Sequence, residues 1–149
     1  MSSKTDSVVK NITGIYEGIL NGTRYQVGIG GDAFKQLSAG AWVDKTGAVT
    51  ITDDDDIHWS FATFLNSSFA DIIIAANGID APIKWTGSGN AAALSSPPGN
   101  FNFPVVHKNK LWVAVGDVVY FSALRNGESW DTSNDIARFI NKGEDITGL

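Results

Sequence analysis

The stretch His107–Trp130, HKNKLWVAVGDVVYFSALRNGESW, decides the fold class of this chain. It consists of a Lys-Asn turn, the apolar run LWVAV, a Gly-Asp turn, a second apolar run VVYFSA and a closing tryptophan. Branched and aromatic residues favour strands, whereas Gly, Asn and Asp favour the tight turns that join them. The stretch therefore predicts a β-hairpin followed by a further short segment.

The same order of pieces occurs three times along the chain. A tryptophan closes each unit, at spacings of 43 and 45 residues, and an asparagine-centred turn lies inside each unit, at spacings of 45 and 43 residues. These repeat markers are Trp42, Trp85 and Trp130, and Asn21, Asn66 and Asn109. A repeat of about 44 residues that holds three or four short strands predicts an all-β repeat fold.

The repeat divides the chain into a short leading segment and one β-repeat domain. Residues 1–10 are polar and predict a flexible N-terminal segment, and residues 11–149 form the domain, with units at about 11–55, 56–98 and 99–144. The motif NITGI at Asn11–Ile15 returns as DITGL at Asp145–Leu149, so a fourth unit restarts at residue 145. The pattern is typical of a chain cut from a longer array, or of one completed by another chain.

Two architectures use units of this length. A β-propeller sets four-stranded sheets around an axis, whereas a β-trefoil closes three repeats into one barrel. The count of three favours the trefoil, and the restart at residue 145 favours propeller-type blades that belong to a larger propeller. We expect the repeat tryptophans to pack between adjacent sheets. Because a three-blade arc leaves an apolar face at each end, we also expect an oligomer.

Composition limits the classes of function. The net charge is −5, which argues against a protein that reads nucleic-acid sequence through a basic face, although DNA can still slide along an acidic wall. The chain has no cysteine, so disulfides and thiolate metal sites are excluded. No apolar stretch is long enough to span a bilayer, and we expect no membrane anchor.

The remaining motifs predict neither a cofactor nor catalysis. The four carboxylates Asp53–Asp56 are interpreted as a solvated connector, with weak Ca²⁺ or Mg²⁺ binding as the alternative. His58 and His107 lack the serine and acid partners of a catalytic triad. The Gly28–Gly31 motif GIGG runs into another strand and not into the helix that a dinucleotide site needs. The sequence therefore predicts a non-enzymatic protein.

The ordered set of motifs resembles a known family. The segments VVHKNKLWVAVGDVVYFSALRNGESWD, FINKGEDITGL and WSFATFLNSSFADIIIAANGIDAPIKWTGSG are similar to the repeat of tail and head-to-tail connector proteins of tailed bacteriophages. The first unit matches more loosely, through NGTR and GAW, and the resemblance extends from about Asn11 to Leu149. Family members usually continue well beyond the DITGL motif, and this chain departs from them there.

The resemblance implies a structural virion protein that carries a β-propeller, similar to tail-nozzle or connector-type proteins. Such proteins assemble as homo-oligomeric rings around the DNA channel, contact other tail or portal-proximal proteins, and meet DNA only as a non-specific passenger. Assembly would occur in the host cytoplasm. The alternative is a carbohydrate-binding module, a trefoil lectin or host adhesin. The Gln-x-Trp signature of trefoil lectins is missing, because Gly40, Ile83 and Glu128 precede the tryptophans by two positions.

Overall fold

A computed structural model describes residues 11–133, 136–138 and 145–149. The predicted flexible segment, residues 1–10, lies outside the described residues. The described part is all-β, as predicted, and contains no helix. None of its segments therefore forms a helix with the length and apolarity needed to cross a bilayer.

Within the described residues, thirteen strands form three antiparallel sheets in chain order. The first sheet holds β1 (Ile12–Leu20), β2 (Thr23–Gly30), β3 (Ala33–Ser38) and β4 (Ala41–Asp44). The second holds β5 (Ser60–Leu65), β6 (Asp71–Ala76), β7 (Ile83–Trp85) and β8 (Ala92–Ala93). The third holds β9 (Asn102–His107), β10 (Lys110–Val115), β11 (Val118–Ala123) and β12 (Asn126–Trp130), and β13 (Ile136–Arg138) also pairs with β11.

Each sheet contains a meander of four consecutive strands, and each sheet lies within one of the three units that the sequence predicts. The tight turns explain this simple order. Asn21 and Gly22, at φ 49° and 81°, join β1 to β2, and Lys108 and Asn109, at φ 47° and 58°, join β9 to β10. Two successive residues with positive φ are typical of the type I′ turn, whose twist matches that of a hairpin.

The sequence of β6, DIIIAA, places the second sheet between the other two. Ile73 and Ala75 belong to the hydrophobic core shared with the first sheet, which we call the first core. Ile72, Ile74 and Ala76 belong to the second core, shared with the third sheet. Successive side chains of a strand point to opposite faces, so an uninterrupted apolar run is what a sheet covered on both faces requires.

The first strands of the sheets lie next to one another. β1 contacts β5 and β6, and β9 contacts the same two strands from the other side. Backbone hydrogen bonds reinforce these contacts outside the strand ladders: Trp59 N–H donates to Thr13 O at 3.0 Å, and Gly78 N–H donates to Phe101 O at 2.9 Å. The three sheets are therefore stacked in chain order, with their first strands close together.

Candidate functional site

Two of the repeat tryptophans face the sheet that precedes them in the chain. Trp85 pairs with Ile73 of the first core, so its ring faces the first sheet, and only 1% of the residue is exposed. Trp130 pairs with Ser122 and packs against the second core, so its ring faces the second sheet. We call this the backward side of each sheet, and the opposite side the forward side.

Trp42 also projects from the backward side of its sheet, but there it meets solvent. It lies on β4 over Gly28, where an added Cβ would come within 3.4 Å of its ring. Gly28 alternates along β2 with Val27 and Ile29, which face the first core, so Trp42 points away from the second sheet. The expectation that all three tryptophans pack between sheets is wrong for Trp42, because no described sheet precedes the first.

The backward side of the first sheet is an exposed apolar surface. Ile15 is 64% exposed, Ile19 is 56% exposed and Trp42 is 40% exposed. Between the two isoleucines on β1 stands Glu17, whose carboxylate lies 3.3 Å from the guanidinium of Arg24. We call this surface the first outer face, defined by Ile15, Glu17, Ile19 and Trp42.

The forward side of the third sheet is aromatic. Leu111 and Val113 of β10 face the second core, so the residues that alternate with them face away from it. The Trp112 and Phe121 rings lie 4.7 Å apart, and Lys110 Nζ lies 4.2 Å from the centre of the Phe121 ring. We call this surface the third outer face, defined by Val105, Lys110, Trp112 and Phe121.

A buried ion pair joins the second sheet to the third. The Lys84 ammonium on β7 contacts Oε1 of Glu128 on β12. The N–H groups of Ser67 and Ser95 donate to the same carboxylate at 3.1 and 3.3 Å. Burial alone raises the pKa of Glu128, but these hydrogen bonds and the charge of Lys84 together lower it from 4.5 to about 2.

Sequence reasoning missed this pair, although the sequence contains a signal for it. Lys84 and Glu128 are 44 residues apart, which is the repeat period. Lys84 lies on the forward side of β7, the third strand of its sheet, and Glu128 lies on the backward side of β12, the fourth strand of the next sheet. A spacing of one period therefore brings these two charges to the interface between the sheets. Scanning for opposite charges at the repeat spacing would have found the pair.

The contact between the first and second sheets combines ring stacking with hydrogen bonds. The Tyr16 ring stacks on Phe61 with centroids 5.5 Å apart, and its hydroxyl lies 3.1 Å from Thr63 Oγ1. The carboxylate of Asp71 accepts a hydrogen bond of 2.8 Å from Asn21 N–H in the β1–β2 turn. Both interfaces between sheets therefore hold an acidic side chain that binds a turn of the preceding sheet.

The predicted asparagine markers all lie in turns between the first and second strands of their sheets. Asn21 and Asn109 adopt positive φ angles, as described above. Asn66 acts through its side chain, since its Oδ1 accepts hydrogen bonds from the N–H groups of Ser68 and Ala70 at 2.9 and 3.0 Å. The structure places the asparagines in turns and the tryptophans on sheet faces, so the six markers do not form one site.

The Asp53–Asp56 loop uses two of its carboxylates for hydrogen bonds, one within the loop and one to the start of the first unit. Asp54 Oδ1 accepts from Asp56 N–H at 2.9 Å, and Asp55 Oδ2 accepts from the Asn11 side-chain amide at 2.7 Å. Across the described ranges, no group of three or more His, Cys, Asp or Glu side chains is arranged to hold a metal ion. Nothing in the geometry of the loop thus adds to the weak cation-site alternative.

A cleft of about 420 Å³ lies between the β4–β5 connection and the β7–β8 region, and Asp80 lines it. Asp80 Oδ2 accepts hydrogen bonds from Thr52 N–H at 3.0 Å and from the Asn77 amide at 2.9 Å, and Oδ1 accepts from Thr52 Oγ1 at 2.7 Å. Burial raises the pKa of Asp80, but these donors lower it overall. The carboxylate therefore holds the loop at residue 52 in place.

The structure also shows where the glycine motif, the two histidines and the DITGL segment lie. Gly31, at φ 61°, lies in the turn from β2 to β3, and no helix follows the glycine motif. His58 is exposed just before β5, and the His107 ring lies 6.3 Å from that of Trp112. Near the C-terminus, Ile146 N–H donates to Gly116 O at 2.9 Å. The DITGL segment thus contacts the β10–β11 turn, much as Phe101, before β9, contacts the β6–β7 turn.

Comparison of the chain with protein-family models, with curated proteins and with solved structures gave no match.

Proposed function

We propose that this chain is a non-enzymatic structural protein that works by stacking its sheets against further sheets, as a component of a bacteriophage tail or head-to-tail connector. The observation that carries the proposal is the first outer face. The same side of the second and third sheets is buried against a preceding sheet, whereas Ile15, Ile19 and Trp42 remain exposed. An exposed group of large apolar side chains of this kind marks an interaction site.

The stacking supports a propeller-type arrangement. Each sheet contains a four-strand meander, and the first strands of successive sheets are neighbours, as around a propeller axis. A trefoil would instead pair strands of different repeats into one barrel. Among the described residues, every two strands that pair come from the same repeat unit, so the trefoil has less support.

The resemblance to tail and connector proteins gives the proposed location and partners. The chain would assemble as a homo-oligomeric ring in the virion and contact other tail or portal-proximal proteins. Its net charge of −5 suits a channel wall that DNA passes without being held, because like charges repel. DNA is therefore a passenger in this proposal and not a ligand.

The carbohydrate-binding alternative has less support. A sugar site in each repeat would need an aromatic ring open to solvent in each repeat. Trp85 is buried, and the Nε1 of Trp130 is also buried. Of the three repeat tryptophans, Trp42 alone is exposed enough to form such a platform.

Light scattering behind a sizing column tests the proposal. We expect the wild-type chain to give a mass above the 15.9 kDa of one chain. Ile15→Asp should weaken self-association by more than about tenfold, because it removes an apolar contact and buries a charge. The matched control is Ile79→Asp, since Ile79 is 57% exposed but lies in the β6–β7 turn, away from both outer faces.

A wild-type chain that stays monomeric at high concentration, with no binding of a hydrophobic dye, would refute a stacking function. Equal loss of association in the two aspartate variants would refute the role of the first outer face.

A further inference from the structure

The two internal interfaces have the same orientation: the forward side of one sheet packs against the backward side of the next sheet. At the first interface, Tyr16 on the forward side of β1 stacks on Phe61 on the backward side of β5. At the second, Phe64 on the forward side of β5 packs against Gly127 of β12, where an added Cβ would lie 3.1 Å from its ring. The third outer face is a forward side and the first outer face is a backward side, so the two are of opposite kinds.

We propose that the first outer face of one copy packs against the third outer face of a second copy, head to tail. This inference rests on the proposed stacking function and names its partner and orientation. In the contact, Ile15 and Trp42 of one copy meet Val105 and Trp112 of the other. The contact would repeat, between copies, the arrangement that already joins sheets within the chain.

The positions on β1 support this orientation. The residues of unit two that face the first sheet include Trp59, Phe61 and Thr63. One period of 44 residues earlier stand Ile15, Glu17 and Ile19, which belong to the first outer face. The positions of β1 on the first outer face are therefore equivalent to the positions in unit two that contact the first sheet.

The surface of β4 supports it as well. The Trp42 ring lies over Gly28, where the absence of a side chain lets the ring lie close to the sheet. The Trp42 ring is therefore an apolar surface that lies close to the sheet. On the other copy, the paired Trp112 and Phe121 rings form a second broad surface. Two such surfaces can approach to the roughly 10 Å spacing of packed sheets.

The number of sheets supports a second copy as the occupant. A head-to-tail contact either closes into a ring or runs on as a filament. With three sheets in the described part of each chain, two copies contribute six, which is within the range of about four to eight for closed propellers. In a two-copy ring, both outer faces of both copies are covered, and the expected mass is twice that of one 15.9 kDa chain.

Thiol cross-linking tests the orientation, and the absence of native cysteine makes it specific. Ile15→Cys and Val105→Cys place one thiol on each outer face, and both positions are exposed, so neither change disturbs a core. The two variants, carrying tags of different mass, are mixed, allowed to exchange and treated with a bismaleimide of about 10 Å span. We expect cross-linked pairs that carry both tags in the mixture, and no cross-linked pairs from either variant alone.

The double variant Ile15→Cys with Val105→Cys tests closure. It should give a cross-linked dimer and no longer ladder. Ile79→Cys, mixed with either variant, is the control for random collision and should give no product.

Other outcomes would overturn the inference. Cross-linking of Ile15→Cys with itself would show that two first outer faces meet symmetrically, which keeps self-assembly but refutes the head-to-tail contact. A ladder from the double variant would refute closure at two copies. A monomer without any cross-link would refute both the inference and the proposed function. The same result is expected if residues 1–10 of the same chain cover the first outer face.

Discussion

Replacement of Glu128 by glutamine should make the chain less stable in a pH-dependent way. The Glu128 side chain is 3% exposed and its partner Lys84 is 20% exposed. The carboxylate also accepts hydrogen bonds from the N–H groups of Ser67, in the β5–β6 turn, and Ser95, after β8. Glutamine keeps one acceptor oxygen but removes the charge, so the partly buried ammonium of Lys84 loses its counter-ion.

The pKa of Glu128 sets the size of the effect. It is about 2 in the folded chain, against an ordinary value of 4.5. One unit of pKa corresponds to about 1.4 kcal/mol, so the ionised carboxylate contributes about 3 kcal/mol to the free energy of unfolding. Because folding lowers the pKa, this contribution is fully present above pH 4.5 and is lost as the pH falls towards 2.

Urea unfolding of the wild type and Glu128→Gln at several pH values measures the effect. We expect a difference of about 3 kcal/mol near neutral pH that narrows steadily as the pH falls from 4.5 towards 2. The matched control is Glu17→Gln, because Glu17 forms an exposed pair with Arg24 and should cost less than about 1 kcal/mol. A difference that is independent of pH, or equal losses in the two variants, would refute the assigned role of the carboxylate.

Two further pairs of substitutions and one titration have defined outcomes. Trp85→Ala should lower the free energy of unfolding by about 3–5 kcal/mol in urea titrations, whereas Trp42→Ala in dilute monomer should cost less than about 1 kcal/mol, and equal costs would contradict the burial difference. Gly14→Ala should cost about 1–3 kcal/mol by the same measurement, because its Cβ would lie 2.8 Å from the Cβ of Trp59, and Gly148→Ala, with open space around it, is the control. Calorimetric titration of Ca²⁺ should show no heat above dilution, and saturable heat that Asp53–Asp56 substitutions abolish would establish a cation site.

The sequence predicts the local architecture well because the decisive signals are local. Turn residues and branched residues act within a hairpin, and the stretch from His107 to Trp130 folds as the predicted hairpin. The 44-residue period marks where each new unit begins. The apolar run of β6 also predicts a strand covered on both sides, since only a sheet covered on both faces can bury isoleucines on both sides.

The environment of each repeat tryptophan could not be predicted from spacing alone. Trp42 and Trp130 lie on the fourth strands of their sheets and Trp85 on a third strand, although their spacings are nearly equal. All three tryptophan side chains lie on the backward sides of their sheets. Each is buried only where a preceding sheet packs against that side, and the spacing of the tryptophans does not show whether such a sheet is present. The Lys84–Glu128 pair was missed for a related reason, because its partners are distant in sequence and meet only when the sheets stack.

The composition of β2 explains why the first outer face suits contact between separate copies better than a permanent core. The backward side of β6 carries Ile73 and Ala75, whereas the backward side of β2 carries Arg24, Gln26 and Gly28. Polar residues therefore lie among the apolar residues of the first outer face, and the ion pair of Arg24 with Glu17 remains hydrated while that surface is uncovered. Interfaces between proteins that fold before they associate are about as polar as the rest of the protein surface, so a mixed face of this kind is compatible with such an interface. The first sheet can thus fold with its backward side in water and bury it later, which β6 could not do.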